Sequence, residues 1–212
     1  MHKKFELIKN DSIEIGNHKL YRIRALINFN DVKAGDLGGY VESENNLSQM
    51  DDCWIYDNAC VYGNACVFYD ACVYDNARVF GNACVFDDAK VFGNACVYDD
   101  AKVFGNACVY DNARVSDSAY VADNAKVFYD ACVFGSAHIS GDAIIEQDSD
   151  YIVFKNNWSS GRYFTYTRSN KMWKVGCFYG TGDELIQKAY ADSEDNGKHY
   201  ELCVNLVKEM EK

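Results

Sequence analysis

The sequence predicts a mainly β chain, a β-solenoid with a small cap at each end, on three observations. First, residues 53–146 repeat one six-residue phrase about sixteen times without a slip, as in Ala59-Cys60-Val61-Tyr62-Gly63-Asn64, ending at Ala143-Ile144-Ile145-Glu146. A short fixed period buries its apolar positions only by stacking each repeat on the next. Second, strand alternation places each valine (61, 67, 73 through 133) and the alanine two residues before it on one side. The Cys, Lys or Arg between them and the aromatic after the valine fall on the other. Third, the remaining two positions, typically Gly or Asp and then Asn or Asp, suit the tight turns that corners require.

Charge decides which side faces inward. Arg78, Lys90, Lys102, Arg114 and Lys126 share a slot with the cysteines, so that slot faces solvent, because a buried unpaired charge is prohibitive. Alanine and valine then fill the interior. The organisation this predicts is an N-terminal β cap over 1–36, the hexapeptide array over 37–147 and a C-terminal α+β module over 148–212.

Composition narrows the function classes. A chain of 212 residues with 49% hydrophobic and 15% aromatic content can bury a core. Residues 51–146 carry 15 acidic and 5 basic side chains, so −10 of the formal −11 lies on the array. That balance argues against direct nucleic-acid binding and leaves basic partners open. The start, Met1-His2-Lys3-Lys4-Phe5-Glu6-Leu7, breaks into charge before a secretory segment could form, and no later run reaches membrane-spanning length. A cytoplasmic protein with no membrane partner is expected, its ten cysteines reduced rather than forming a disulfide scaffold.

In chain order, residues 4–9, 12–15 and 19–27 alternate as strands, with Asn10-Asp11 and Gly16-Asn17 as turns. A small antiparallel sheet there covers the open first coil. The glycines of Gly35-Asp36-Leu37-Gly38-Gly39-Tyr40-Val41-Glu42 lack phosphate-loop spacing and read as turns into the array, followed by Asp52-Cys53-Trp54-Ile55. Joined to the hexapeptides, the Gly-Gly-Tyr-Val-Glu to Cys-Trp-Ile stretch resembles the YdcK-like hexapeptide-repeat proteins of bacteria, phages and prophages, over roughly residues 20–146. The resemblance implies a single-stranded left-handed parallel β-helix with three hexapeptides per coil and a phage or prophage origin; most members have no assigned function.

With three hexapeptides per coil, residues eighteen apart stack at about 4.8 Å. One face then carries Tyr56, Tyr74, Phe92, Tyr110 and Phe128, a second Tyr62, Phe80, Tyr98 and Phe134, and a third Phe68, Phe86 and Phe104. Such aromatic bands exceed what a soluble monomer exposes unless the rings lie along one another, so either self-stacking or an oligomer or partner surface is expected. Tyr56, Tyr74, Phe80, Phe86, Phe92, Tyr98, Phe104 and Tyr110 are the candidate protein-binding aromatics.

Other chemistry is sparse. Cys60, Cys66 and Cys72 fall on three sides and cannot converge on zinc, so no metal or cofactor is expected. Cys66 and Cys84 stack on one side, yet strand spacing slightly exceeds the usual Cβ separation of a disulfide, and small fillers between aromatics are expected. Hexapeptide β-helices that are acyltransferases carry a catalytic histidine beside a loop leaving the coil. Here no loop interrupts the array, and His138, beside Ser136 and Ser140, lacks an evident carboxylate orienter, so no catalytic residue is assigned. Corner acids, among them Asp87, Asp88, Asp99 and Asp100, suggest a second reading, a rod imitating nucleic acid toward a host nuclease or DNA-binding protein.

After Ile145 the pattern changes. Tyr151–Lys155, Arg162–Thr167 and Lys171–Phe178 read as strands, and Thr181-Gly182-Asp183-Glu184 as a capping box opening a helix through about Tyr190. A last helix over about 197–211 places Tyr200, Cys203, Val204, Val207 and Met210 on one stripe. This piece resembles a small C-terminal βββαα module of phage and Firmicutes proteins, and closing the rod is its expected use. The function expected is non-catalytic binding or scaffolding through protein–protein contacts, with a host protein or a second copy as partner.

Overall fold

Each hexapeptide folds as a two-residue strand followed by a corner in the computed structural model, which describes residues 3–212. Met1 and His2, the head of the charged start, lie outside the described residues. Two antiparallel strands, β1 (Phe5–Ile15) and β2 (His18–Ala25), and β3 (Leu37–Val41) precede sixteen short strands running from β4 (Trp54–Ile55) to β19 (Ile144–Ile145). Register confirms an eighteen-residue coil: Lys90 pairs in parallel with Cys72 on one side and Cys108 on the other. Three parallel sheets result, one per face of the β-helix. The first holds the rungs of Cys60, Arg78, Cys96, Arg114 and Cys132, the second Trp54, Cys72, Lys90, Cys108, Lys126 and Ile144, and the third Cys66, Cys84, Lys102, Tyr120 and His138.

The interior is the expected one. Ala77 through Ala143 in the first slot and Val61 through Ile145 in the third are all without solvent exposure. Their small volumes keep the prism narrow, and close packing excludes anything larger. Every fifth residue of the phrase from Asp57 to Gly141 has φ between 53° and 73°, so the corners turn through the left-handed region that Gly, Asp and Asn enter most readily. Tyr69 and Tyr129 occupy the same corner conformation, and their exposed rings lie edge-on to Phe68 and Phe128.

The coil has a polarity that determines what its ends need. In the second, fourth and sixth slots of the phrase the N–H points toward the following coil: Cys60 donates to the Ala77 carbonyl at 2.9 Å, Tyr62 to that of Val79 at 3.1 Å and Asn64 to that of Gly81 at 2.8 Å. Through these slots the first coil is left with carbonyls that require donors, and the last with N–H groups that require acceptors. At the N-terminal end the donors are Lys4 Nζ, to the carbonyls of Asp51 and Cys53 at 2.5 and 2.9 Å, and Asn46 Nδ2, to those of Gly63 and Ala65 at 3.0 and 2.8 Å. At the C-terminal end, Cys132, His138 and Ile144, one on each face, donate their N–H groups to Asp148 Oδ1, Thr165 Oγ1 and Ser169 Oγ at 2.7, 2.9 and 2.7 Å. Three side-chain oxygens thus replace the missing next rung.

Several local expectations are corrected. Asn10-Asp11 is not a turn: β1 runs on through it, with a register shift between Ile8 and Ser12 absorbing the extra residues. Gly16-Asn17 does turn, with Gly16 at φ 57°. The hairpin also extends the first face, since β3 pairs in parallel with the Cys60 rung, and Leu20 and Tyr40 cover Cys60 and Tyr62. Those two side chains sit in outward slots yet are buried.

The C-terminal module is an antiparallel sheet of β20 (Tyr151–Lys155), β21 (Tyr163–Thr167), β22 (Met172–Val175) and β23 (Phe178–Gly180), followed by α1 (Gly182–Asp192) and α2 (Glu194–Met210). The run expected as one strand over 171–178 breaks at Gly176, whose φ of 57° makes a turn and adds the fourth strand. The Thr181–Glu184 capping box forms as read. Tyr200, Val204 and Val207 pack against Phe164, Tyr166 and Trp173, whereas Met210 is 53% exposed because α2 outruns the sheet it packs on.

Candidate protein-binding faces

Stacked rings and spaced charges make up the outward surface. On the second face Tyr56 lies on Tyr74 at 4.5 Å, and a separate stack runs from Phe92 through Tyr110 to Phe128 at 4.8 Å intervals. Tyr62, Phe80 and Tyr98 stack on the first face at 5.1 and 5.0 Å, and Phe68, Phe86 and Phe104 on the third at 4.9 Å. All these planes lie within 11° of parallel. The eight candidate aromatics are half-buried, so each ladder shows solvent mainly ring edges rather than an open apolar band. Phe134 shows the contrast: its neighbour one coil back is Ser116, no ring covers it, and it is 52% exposed.

The cations follow a second period that the stacking explains. They recur every twelve residues while the coil takes eighteen, so no cation meets another one coil away; the neighbours are cysteines, apart from Tyr120 beside Lys102 and Ile144 beside Lys126. Arg78 and Arg114 are consequently two rungs apart, roughly 10 Å, which avoids the destabilising apposition of like charges.

The corner acids are tied into the rod. Asp87 Oδ2 accepts from the Gly105 N–H at 3.2 Å and Asp99 Oδ2 from that of Asp117 at 3.5 Å. Asp100 Oδ1 accepts from Asn82 Nδ2 at 2.9 Å, at the end of an amide ladder that starts with Asn64 donating to Asn82 at 3.0 Å. Asp88 instead lines an open groove of about 480 Å³ with Asn30, Asp52, Asp70, Tyr74 and Lys90. Asn30 belongs to the loop between β2 and β3, which leans over the second face and holds Tyr56 through Asp31 at 2.8 Å. No local pattern in the sequence signals this wall, because the loop carrying Asn30 and Asp31 is distant in the chain from the face it covers. The structure brings Tyr74 and Asp88 together there and leaves the other candidates spread over three faces and their edges.

His138 lies on the last rung of the third face. Its ring lies 4.6 Å from Tyr120, and burial, with the Lys174 charge adding to it, holds its pKa below the usual imidazole value. Among the described residues no carboxylate hydrogen-bonds that ring, and no three His, Cys, Asp or Glu side chains converge as a metal set. Among them also, no helix is long and apolar enough to cross a membrane.

Burial pushes several acids of the rod upward: Cys53 to about 11, Cys66 to about 12 and Tyr151 to about 12, from ordinary values of 9.0 for thiols and 10.0 for phenols. The unfolded chain loses these protons first, so the stabilisation is complete below pH 9 and is lost as pH rises toward 12. Urea midpoints are expected to hold steady up to about pH 9 and fall steadily above it, with no compensating gain before unfolding.

Together the coil register, the left-handed corners and the small interior define a hexapeptide-repeat parallel β-solenoid. Over 52 residues the chain is 44% identical to an Escherichia coli (strain K12) protein described as an uncharacterized acetyltransferase, YdcK. The match covers 24% of this chain and only 16% of that protein's length. No family model matches the chain.

Proposed function

We propose that this chain is a non-catalytic binding scaffold that acts through protein–protein contacts on its long faces, with a host protein as partner if the chain is phage-encoded, or a second copy of itself. The observation that carries this reading is the regularity of the three faces. Each offers half-exposed stacked rings over an array that no loop interrupts, and on the first two faces cations and thiols alternate beside them. An acyltransferase reading draws on the YdcK match alone, and the isolated His138 gives it no support. The acidic-decoy reading draws on the net charge of the array, but three of its four proposed acids already serve the coil.

Pull-down and sedimentation of the full chain at low and at about 0.5 M salt, where the screening length is about 4 Å, separate these readings. Changing Phe80, Phe86 and Phe92 to Ser, one ring per face, is expected to abolish partner capture or self-association that survives high salt. Asn at positions 87, 88, 99 and 100 keeps an acceptor for the corner bonds and is expected to leave capture intact. The opposite pattern, loss with Asn and at high salt, would replace the scaffold with the decoy.

A further inference from the structure

Among the described residues Cys66 and Cys84 form the one in-register pair of cysteines on adjacent rungs of the rod. On the first face the neighbours of cysteine are Tyr40, Arg78 and Arg114, and on the second they are Trp54, Lys90 and Lys126. The twelve-residue spacing of cations begins only at Arg78, so the third face receives two cysteines before its first cation, Lys102. Their Sγ atoms are 3.2 Å apart, with the Cys66 thiol donating to the Cys84 sulfur, and both residues are partly exposed.

We infer that Cys66 and Cys84 are a dithiol site that reacts with low-molecular-weight disulfides of the glutathione class and closes into a reversible staple across the first two coils. In-register strands hold their Cα atoms about 4.8 Å apart, inside the window of about 4.4–6.8 Å that disulfides span. The sulfurs need to close by only about 1.2 Å to reach bonding distance, a χ1 adjustment at each residue. The expectation from strand spacing alone, that the two cysteines serve only as fillers, does not account for sulfurs already in contact.

The geometry also orders the two steps. Cys84 accepts the Cys66 hydrogen bond, so Cys66 stands in contact behind the sulfur that attacks first and is placed to resolve the mixed disulfide. Cys66, as the donor, keeps its proton, its pKa pushed to about 12 by burial and by that bond. The Cys84 thiolate attacks one sulfur of the small disulfide, the S–S bond breaks, and one small thiol departs with a proton. Cys66 then gives up its proton and attacks the Cys84 sulfur, forming the protein disulfide and releasing the second small thiol. The two protein thiols are oxidised and one small disulfide is reduced to two thiols, which carry away the two protons.

The test uses the reduced full chain incubated with glutathione disulfide, alkylated and digested with trypsin. Peptide 79–90 contains Cys84 as its only cysteine, and Cys66 lies in peptide 34–78. The expected product is a cross-link between these two peptides, retained in Cys60→Ser and Cys72→Ser chains. In Cys66→Ser, peptide 79–90 is expected to stop at the glutathione adduct, with circular dichroism showing that the coil is intact. Alkylated peptide 79–90 in the treated wild type, or a cross-link that persists in Cys66→Ser, overturns the proposal.

Discussion

Val91→Lys is expected to cost more than about 4 kcal/mol of stability, while Lys90→Val, one residue away, is expected to change it by less than about 0.5 kcal/mol. The two positions belong to the same rung, yet Val91 has no solvent exposure and Lys90 is exposed. The rod interior is lined by alanine and valine on all three sides, so an ammonium placed there finds neither water nor a carboxylate, and its longer stem has no room. Because each coil contacts only its neighbours, a defect at the third rung of the second face also splits the array into two shorter pieces, and the loss appears in cooperativity as well as in midpoint. Urea denaturation followed by circular dichroism measures both. Should Val91→Lys fail to fold, Val91→Thr, nearly equal in shape, is expected to lower stability by about 1–3 kcal/mol, the cost of one buried hydroxyl. A Thr variant as stable as the parent would mean that the third slot is not the interior.

That contrast could be read from the sequence because a repeat shows the same environment many times over. One cation at position 90 is ambiguous, but five cations in the cysteine slot fix the direction of every side chain in the array. The same redundancy made the corners legible, and even Tyr69 and Tyr129 adopt the corner conformation set by their position rather than by their own preference. The Thr181–Glu184 box was legible for another reason, since both of its hydrogen bonds close within three residues. What escaped were contacts that occur once and join distant residues. Asn10-Asp11 looks like a turn until a partner strand is present to carry the bulge. The aromatic ladders were placed on the correct faces, but how far stacking would bury them depended on ring orientation, which spacing alone does not give. The corner acids show only their charge in the sequence, and their bonds to the next coil exist only where residues eighteen apart lie side by side. The groove beside Asp88 needed the loop carrying Asn30 and Asp31, some sixty residues earlier in the chain.

Lys4 escaped for the same reason, and it yields the second large expected effect. In sequence it is one charge in a polar start; in the fold it is 2% exposed, and its ammonium bonds the carbonyls of residues 47 and 49 positions further on. Burial holds its pKa below the ordinary 10.5, with Cys53, Asp51 and Asp52 opposing that shift. The rod's polarity explains why a cation belongs at this end: the first coil presents carbonyls, and a lysine supplies several donors on a stem long enough to reach over the edge. Lys4→Met keeps the stem and removes the donors, leaving the Asp51 and Cys53 carbonyls orphaned at about 1–3 kcal/mol each, partly offset by relief of the buried charge. A net loss of about 2–3 kcal/mol is expected, read as a lower urea midpoint. The variant also unpairs a strand edge, so it should self-associate in sedimentation at concentrations where the parent does not gain mass. The acceptors at the opposite end provide the control. Ser169→Ala removes a single oxygen from the Ile144 N–H and is expected to cost about 1 kcal/mol while leaving the N-terminal edge closed. Equal losses from the two variants would mean that the ammonium does no more than any single hydrogen bond, and that the first coil is closed by the hairpin alone.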